Sequence, residues 1–426
     1  MSRALVLGGG VAGITAAFLL RDRGYEVEVI ESHGWLGGRV FSFPDKRLGG
    51  EVDNGPHVVL GCYRHFRALL QRLGTEDAFV RSERLELRYR LPGGGTTRLR
   101  APFGWPRLGF AERLRFALGI TATLLPVAER LSFADWLARW RQQGAPRRYL
   151  WDPLCLAVMN GRPEQVSARL FLATLRQAAR GGAAALAIWH PARPWSEIVG
   201  KPALSRLCAA GVTVALTTRV QRIVVEGGKI TALELSGGRT RAVAAAETVV
   251  SALPWHTLAR LLPAEHVPQV ARVAGSTLVN VCFRGLDLPD EGPLVCLADG
   301  DPFHYVVRRP GDPPDCLTLI ADAAGGLDGQ TISAIEATAR AQLARFYPGA
   351  DVTTGAVRVT REANATALWA PGSADLRPAA GPLPGLANCV LCGDATATGL
   401  PSTLEGAAMS AVTAVGYLPK GSRSAP

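Results

Sequence analysis

Residues 4–31 read Ala4-Leu5-Val6-Leu7-Gly8-Gly9-Gly10-Val11-Ala12-Gly13, then an alanine-rich stretch from Ile14 to Arg23, then Gly24-Tyr25-Glu26-Val27-Glu28-Val29-Ile30-Glu31. The apolar run Ala4 to Leu7 suits the end of a buried strand. A G-x-G-x-x-G follows, then a helical stretch, a second strand at Glu26 to Ile30 and an acid. That order is the dinucleotide-binding arrangement of a doubly wound α/β fold. Gly8 permits the tight turn, Gly10 lets backbone approach a pyrophosphate, and Gly13 lets helix and strand pack closely. Ala12 falls in the first helical turn, whose unpaired N–H groups and dipole favour an anion. Glu31, with Ser32 beside it, is placed to accept hydrogen bonds from an adenosine ribose.

The next residues choose between dinucleotides. Ser32-His33-Gly34-Trp35-Leu36-Gly37-Gly38-Arg39-Val40 resembles the second signature of the flavin amine-oxidase and carotenoid-desaturase superfamily, an acid followed by a loop ending Leu-Gly-Gly-Arg. The resemblance implies FAD, with Gly38 and Arg39 near the pyrophosphate. A guanidinium there supplies permanent positive charge. No second strand–GxGxxG–helix unit is present, which disfavours a reductase carrying its own nicotinamide domain.

Further along, Val212–Leu216, Val220–Val225, Ile230–Leu235 and Val249–Ala252 read as strands separated by Gly227-Gly228 and Gly237-Gly238. By the resemblance Val220 meets the adenine through its backbone; on its own pattern it is equally a plain strand valine. Near the C-terminus, Cys389-Val390-Leu391-Cys392-Gly393-Asp394 is a strand ending in Gly-Asp, and an alanine-rich helix begins near Ser402. The resemblance gives Gly393 and Asp394 to the FAD ribityl or phosphate region and aims the helix start, at Thr403 and Leu404, toward the flavin ring. A Rossmann-type FAD-binding domain is therefore expected from residues 1–75, 201–255 and 379–420. An α+β substrate domain with a helical cap is expected from 76–200 and 256–378, with a tail at 421–426. Cys389 and Cys392 form a C-x-x-C, but three residues apart in a strand they point to opposite faces, so they read as inert core. The remaining cysteines and the histidines lack metal spacing, and no metal is expected.

Three later stretches narrow the family. Glu51-Val52-Asp53-Asn54-Gly55-Pro56-His57 running on to Tyr63 resembles the hydroxysqualene dehydroxylase family. So do Trp151-Asp152-Pro153-Leu154-Cys155 through Met159-Asn160 to Ala168, and Gly393-Asp394 through Gly399-Leu400-Pro401-Ser402-Thr403-Leu404-Glu405-Gly406-Ala407. Pro56 departs from that family, which commonly has Gln there. The resemblance puts Gly55 and Pro56 beside the flavin. It implies reductive loss of an allylic hydroxyl from hydroxysqualene, a long isoprenoid, fed by an external electron donor. Hydroxide leaves poorly, so a general acid is expected: His57 first, then Asp53 and Glu405. His57 reads equally as a histidine that hydrogen-bonds backbone or FAD. An oxidative desaturase of a carotenoid or squalene-type chain is the second reading, and a flavin-bound isoprenoid carrier without turnover the third. Amine oxidases of the superfamily often hold a lysine near the flavin, and only Lys201 is plausibly placed for that here.

Across 426 residues, 48% hydrophobic content and 19% charge support large buried cores and exclude a disordered chain. The net charge of +11 comes without a long basic run, which argues against nucleic acid and suits an anionic membrane surface. The longest uncharged apolar run away from the termini, Phe116 to Ala128, is too short to span a bilayer. Phe103 to Trp140, apolar and aromatic with Arg interleaved, suggests either a monotopic membrane entrance or a cap helix packed on the core. A cytoplasmic protein, peripheral on the inner face of the membrane, is the expected localisation.

Overall fold

Strand Arg3–Leu7 is buried on both faces, as its near-continuous apolar sequence requires of a central parallel strand. It pairs in parallel with Glu26–Ile30 on one side and Glu247–Ser251 on the other. Thr213–Ala215 and Cys389–Leu391 extend the parallel sheet outward, and the short antiparallel Gly381–Pro382 closes one edge. This computed structural model describes residues 2–100, 104, 109–267 and 269–421.

The two faces of that sheet bury different things. Ala4, Val6, Val29, Val250 and Val390 face the helices Val11–Asp22 and Leu404–Gly416. Those helices meet through alanines, Ala16 and Ala17 against Ala408, Ala411 and Ala414, which lets their backbones come close. Leu5, Leu7, Val249 and Leu391 face the other way, toward the meander Val220–Glu226, Lys229–Leu235 and Arg239–Ala242. Cys389 and Cys392 fall in these two opposite cores. Both thiols are free and buried, and burial pushes each up to about 12. The first helix starts at Val11, three residues earlier than the sequence suggests, because Gly10 is extended (φ −75°, ψ −178°) and serves as its N-cap.

The second sheet has seven strands in the order Ala356–Ala367, Gly275–Arg284, Cys316–Ala321, Tyr305–Val307, Leu294–Leu297, Glu86–Arg90 and Thr96–Arg100. On one face Val279, Val281, Leu319 and Ala321 pack with Ile335, Ala339 and Leu343 of helix Ile332–Phe346. On the other face Ile320 and Tyr305 join a cluster that continues through the cap helices to Leu5, Leu7 and Leu391 of the nucleotide sheet. The cap is centred on Phe133, Trp136, Trp151 and Phe171, whose rings stack or meet edge to face. Strand Ile188–Pro191 pairs with Val59–Leu60 and Phe79–Arg81, and Trp189, Trp195 and Val199 pack with Phe66 and Leu70 against the nucleotide half. The sequence reading put this stretch in the second domain; two buried indoles hold it to the first.

Candidate functional site

Gly8 has φ +97°, and a Cβ there would sit 3.0 Å from the Ala252 carbonyl oxygen, so the turn after the first strand needs glycine. A Cβ on Gly13 would lie 1.9 Å from the Gly8 oxygen, which fixes how closely helix Val11–Asp22 approaches the strand. At Gly10 the nearest neighbour of a Cβ would be the Gly38 Cα at 3.8 Å. Two loops without side chains thus lie against each other, a Cβ on Gly38 coming within 3.0 Å of the Gly10 Cα. A backbone bond from Gly37 N–H to the Gly9 oxygen (2.8 Å) holds them together. No side chain caps the helix that starts at Gly10, so its first N–H groups are available to an anion. The residues present fit a dinucleotide pyrophosphate.

Glu31 is 5% exposed. Its Oε2 accepts from Gly9 N–H at 2.7 Å, and its Oε1 accepts from His33 N–H at 2.8 Å and from the Ser32 hydroxyl at 3.0 Å. Burial works to raise its pKa, but the bonds from His33, Gly9 and Ser32 outweigh it and hold the carboxyl below the usual range. The backbone oxygen of Glu31 accepts from Thr218 N–H at 2.8 Å, which brings the start of strand Val220–Glu226 to this end of the sheet.

Arg39 donates to the Ala365 oxygen at 2.6 Å, pairs with Asp394 and lies 5.7 Å from the centre of the Trp255 ring. Gly393 has φ +135° and donates its N–H to Ser410 Oγ at 2.8 Å, which sets the turn that presents Asp394. Thr403 caps helix Leu404–Gly416, its hydroxyl accepting from Gly406 N–H at 3.1 Å. Gly38, Arg39, Gly393 and Asp394, distant in sequence, are thus brought to one place beside Trp255.

The loop 54–57 lies under the seven-stranded sheet. Asn280, fully buried, donates to the Asn54 oxygen at 2.7 Å, and a Cβ on Gly55 would meet Leu278 and His57 at 3.7 Å. Pro56 lies in this loop, after the bend at Asn54 and Gly55. His57 Nδ1 lies 2.6 Å from the Gly55 oxygen. A carbonyl only accepts, so the Nδ1 carries the proton and Nε2 is left as an acceptor. Burial depresses the His57 pKa to about 4, so the ring is neutral at physiological pH and offers no proton from Nε2. Asp53 is engaged by Arg309 at 3.0 Å and by the Ser42 hydroxyl. Glu405, 1% exposed, accepts from His65 N–H, from Phe66 N–H at 3.0 Å and from His65 Nδ1 at 2.8 Å. It caps helix Arg64–Leu73, whose own N-cap residue Tyr63 supplies no side-chain bond. In this arrangement His57 Nε2 is an acceptor, Asp53 is bonded to Arg309 and Ser42 while burial raises its carboxyl, and Glu405 caps a helix.

Two groups went unnoticed in the sequence. Asn160, at the end of helix Asp152–Met159, donates to Thr366 Oγ1 at 3.1 Å and accepts from Ala323 N–H at 2.8 Å. Next to it, Asp322 is a carboxyl buried in the second half with one oxygen unpartnered. Asn160 stands in a stretch the sequence singled out but without this role, and Asp322 stands in no recognisable pattern; the bond from Ala323 N–H to Asn160 brings them together. The lysines were easier to read: all four, Lys46, Lys201, Lys229 and Lys420, are exposed, and Lys201 pairs with Glu51 at 3.2 Å. Among the described residues no group of three or more His, Cys, Asp or Glu has metal-binding geometry.

Comparison with known proteins agrees with this arrangement. A family model described as flavin containing amine oxidoreductase matches residues 11–418. A hydroxysqualene dehydroxylase of Rhodopseudomonas palustris is 28% identical, covering 95% of both chains. A zeta-carotene desaturase of Arabidopsis thaliana is 25% identical over 97% of this chain and 84% of its own. Among solved structures, an oxidoreductase from Methanosarcina mazei superposes with a TM-score of 0.76 at 18% identity, covering 96% of this chain and 99% of that one.

Proposed function

Because the chain belongs to the flavin containing amine oxidoreductase family and is an FAD-dependent oxidoreductase, we propose that it removes the allylic hydroxyl of hydroxysqualene reductively, yielding squalene and water. The observation that carries this reading is the end-to-end likeness to a hydroxysqualene dehydroxylase, joined to an interior without a buried lysine. When bound, FAD in its two-electron-reduced form supplies a hydride. An external donor must reduce it. The chain's own residues bind and orient. Gly10 and Ala12 would face the pyrophosphate with Gly38, Gly8 and Gly13 shape the turn that holds them there, and Arg39 would offset its charge. Glu31 and Ser32 take the ribose, Val220 meets the adenine, and Gly55, Pro56, Gly393, Asp394, Thr403 and Leu404 surround the flavin end. His57, with an accepting Nε2, suits a hydrogen bond to the cofactor better than proton donation.

The substrate is almost all hydrocarbon, so the site that takes it must be lined by apolar side chains. The likeness to a carotene desaturase supports a second reading, oxidative desaturation of a related isoprenoid. The two are separated by giving the dithionite-reduced protein hydroxysqualene, and the oxidised protein a carotenoid precursor, and identifying products by chromatography. Squalene from the first mixture alone supports dehydroxylation; a dehydrogenated product from the second alone overturns it.

We also place the protein on the membrane surface. Helix Phe110–Ala122 buries only Phe116, Gly119 and Ala122. Phe110 is 86% exposed, and Leu114, Leu118, Ile120, Leu124 and Leu125 are exposed with it. Arg113 and Arg115 lie on the same stretch, a combination suited to an anionic lipid interface. The Trp105 part of the expected entrance lies outside the described residues. Among the described residues no helix is long and apolar enough to cross a membrane.

A further inference from the structure

We infer that Asp322 is the group that gives its proton to the departing hydroxyl, an inference that rests on the dehydroxylation reading above. Asp322 follows strand Cys316–Ala321 directly. Ala321 points into the core under helix Ile332–Phe346, whereas Ile320 joins the cluster shared with Tyr305 and the cap. Asp322 is the turn residue after that strand: its carboxyl acts on Tyr305, and its neighbour Ala323 is bound to Asn160, which donates to Thr366, the residue next to the Ala365 oxygen that takes Arg39.

The backbone around it is fixed from two directions. Asp322 N–H donates to His304 Nδ1 at 3.2 Å, and Ala323 N–H donates to Asn160 Oδ1 at 2.8 Å. Ala323 (φ +50°) holds the left-handed conformation that non-glycine residues avoid, and Asn160 (φ +45°) holds it as the cap of its helix. Such strain concentrates where a side chain must be aimed. The side chain so aimed has no ionic partner. Asp322 is 6% exposed, and its Oδ2 is buried without a hydrogen bond. A buried carboxyl without a cation favours its protonated form, and burial alone raises Asp322 to about 7. The titratable groups facing it are His304, held neutral by burial at about 4, and Tyr305, whose hydroxyl donates to the Pro153 oxygen. Cys155 lies beyond Tyr305 with its thiol raised by burial. The Arg162–Asp301 pair acts on His304 rather than on Asp322.

The balanced step follows. The Asp322 O–H bond breaks as its proton moves to the substrate hydroxyl. The allylic C–O bond breaks with its electron pair leaving on oxygen, so water departs. The carbon gains hydride from reduced FAD, forming a C–H bond, and the flavin is left oxidised. The carboxylate is reprotonated from solvent when the external donor restores the reduced flavin.

The test pairs infrared difference spectroscopy with turnover, using FAD-loaded wild type and Asp322→Asn. On adding hydroxysqualene to the oxidised wild type, a protonated-carboxyl stretch should shift. The band should be absent from Asp322→Asn and should not shift when squalene, which lacks the hydroxyl, is added. In the reduced proteins squalene formation should fall roughly 10²–10⁴-fold in Asp322→Asn, the usual contribution of a positioned acid. The wild-type rate should decline as pH rises through about 7, and the variant's residual rate should be flat there. A carboxyl band that ignores hydroxysqualene, or an undiminished variant rate, overturns the assignment. A shifted band in a wild type that makes no squalene keeps the contact and overturns the dehydroxylation reading instead.

Discussion

A methyl group on Gly10 would meet nothing of the protein closer than 3.8 Å, while one on Gly13 would press to 1.9 Å from the Gly8 oxygen. The two glycines of one motif therefore have separable duties. Gly10→Val should fold with an unchanged circular dichroism spectrum but purify without yellow colour, its side chain filling the pyrophosphate opening. Gly13→Val should not yield folded protein. A folded, yellow Gly10→Val would remove this loop from the FAD site. Asp322 makes a different prediction. Its folded pKa of about 7 lies above the ordinary 3.8, so the folded protein keeps a proton that the unfolded chain releases. Relative stability is full below pH 3.8 and declines until pH passes 7. Asp322→Asn should therefore gain on wild type between pH 5 and pH 8, by roughly 2–3 kcal/mol in urea unfolding. A pH-independent difference would contradict the buried, unpaired carboxyl. The glycines and Glu31 were legible in sequence because their spacing is itself the function. Asp322 was not: its surroundings combine the strands 275–284 and 305–307 with Asn160, 163 residues from its neighbour Ala323.

At the scale of elements, helix Arg64–Leu73 is capped by a residue 340 positions away. Glu405→Gln should cost about 1–3 kcal/mol of stability, the range for a buried hydrogen bond to a charged group. The bond to Glu405 raises the His65 pKa. That contribution is fully present below pH 6.5 and is lost as pH rises through the raised value, so the penalty of Glu405→Gln should shrink in alkali. A thermal melt series across pH checks both, and an unshifted melting point would return Glu405 to the list of free acids. The strands at 4–7, 26–30, 220–225 and 230–235 were readable, the first as an apolar run before a glycine turn and the others as short apolar stretches bounded by glycines. The attachment of 185–200 to the nucleotide half was not, because two tryptophans decide it and an indole's partner is invisible along the chain.

For the whole molecule, one apolar cluster spans both sheets and the cap, while one helix turns its leucines outward. An isoprenoid dissolved in a bilayer needs both features, a lipid-facing surface and a dry interior. Phe110→Ser with Leu118→Ser should reduce sedimentation with anionic phospholipid vesicles several-fold and leave bound FAD unchanged. Equal sedimentation of both proteins would make the exposed stripe a surface without that duty. The most direct measurement is anaerobic single turnover. Enzyme with photoreduced FAD is mixed with hydroxysqualene, flavin absorbance is followed, and squalene is quantified in the same sample. Flavin reoxidation with one squalene formed per flavin is the expected result. A flavin that stays reduced while hydroxysqualene remains intact would contradict reductive dehydroxylation by this protein.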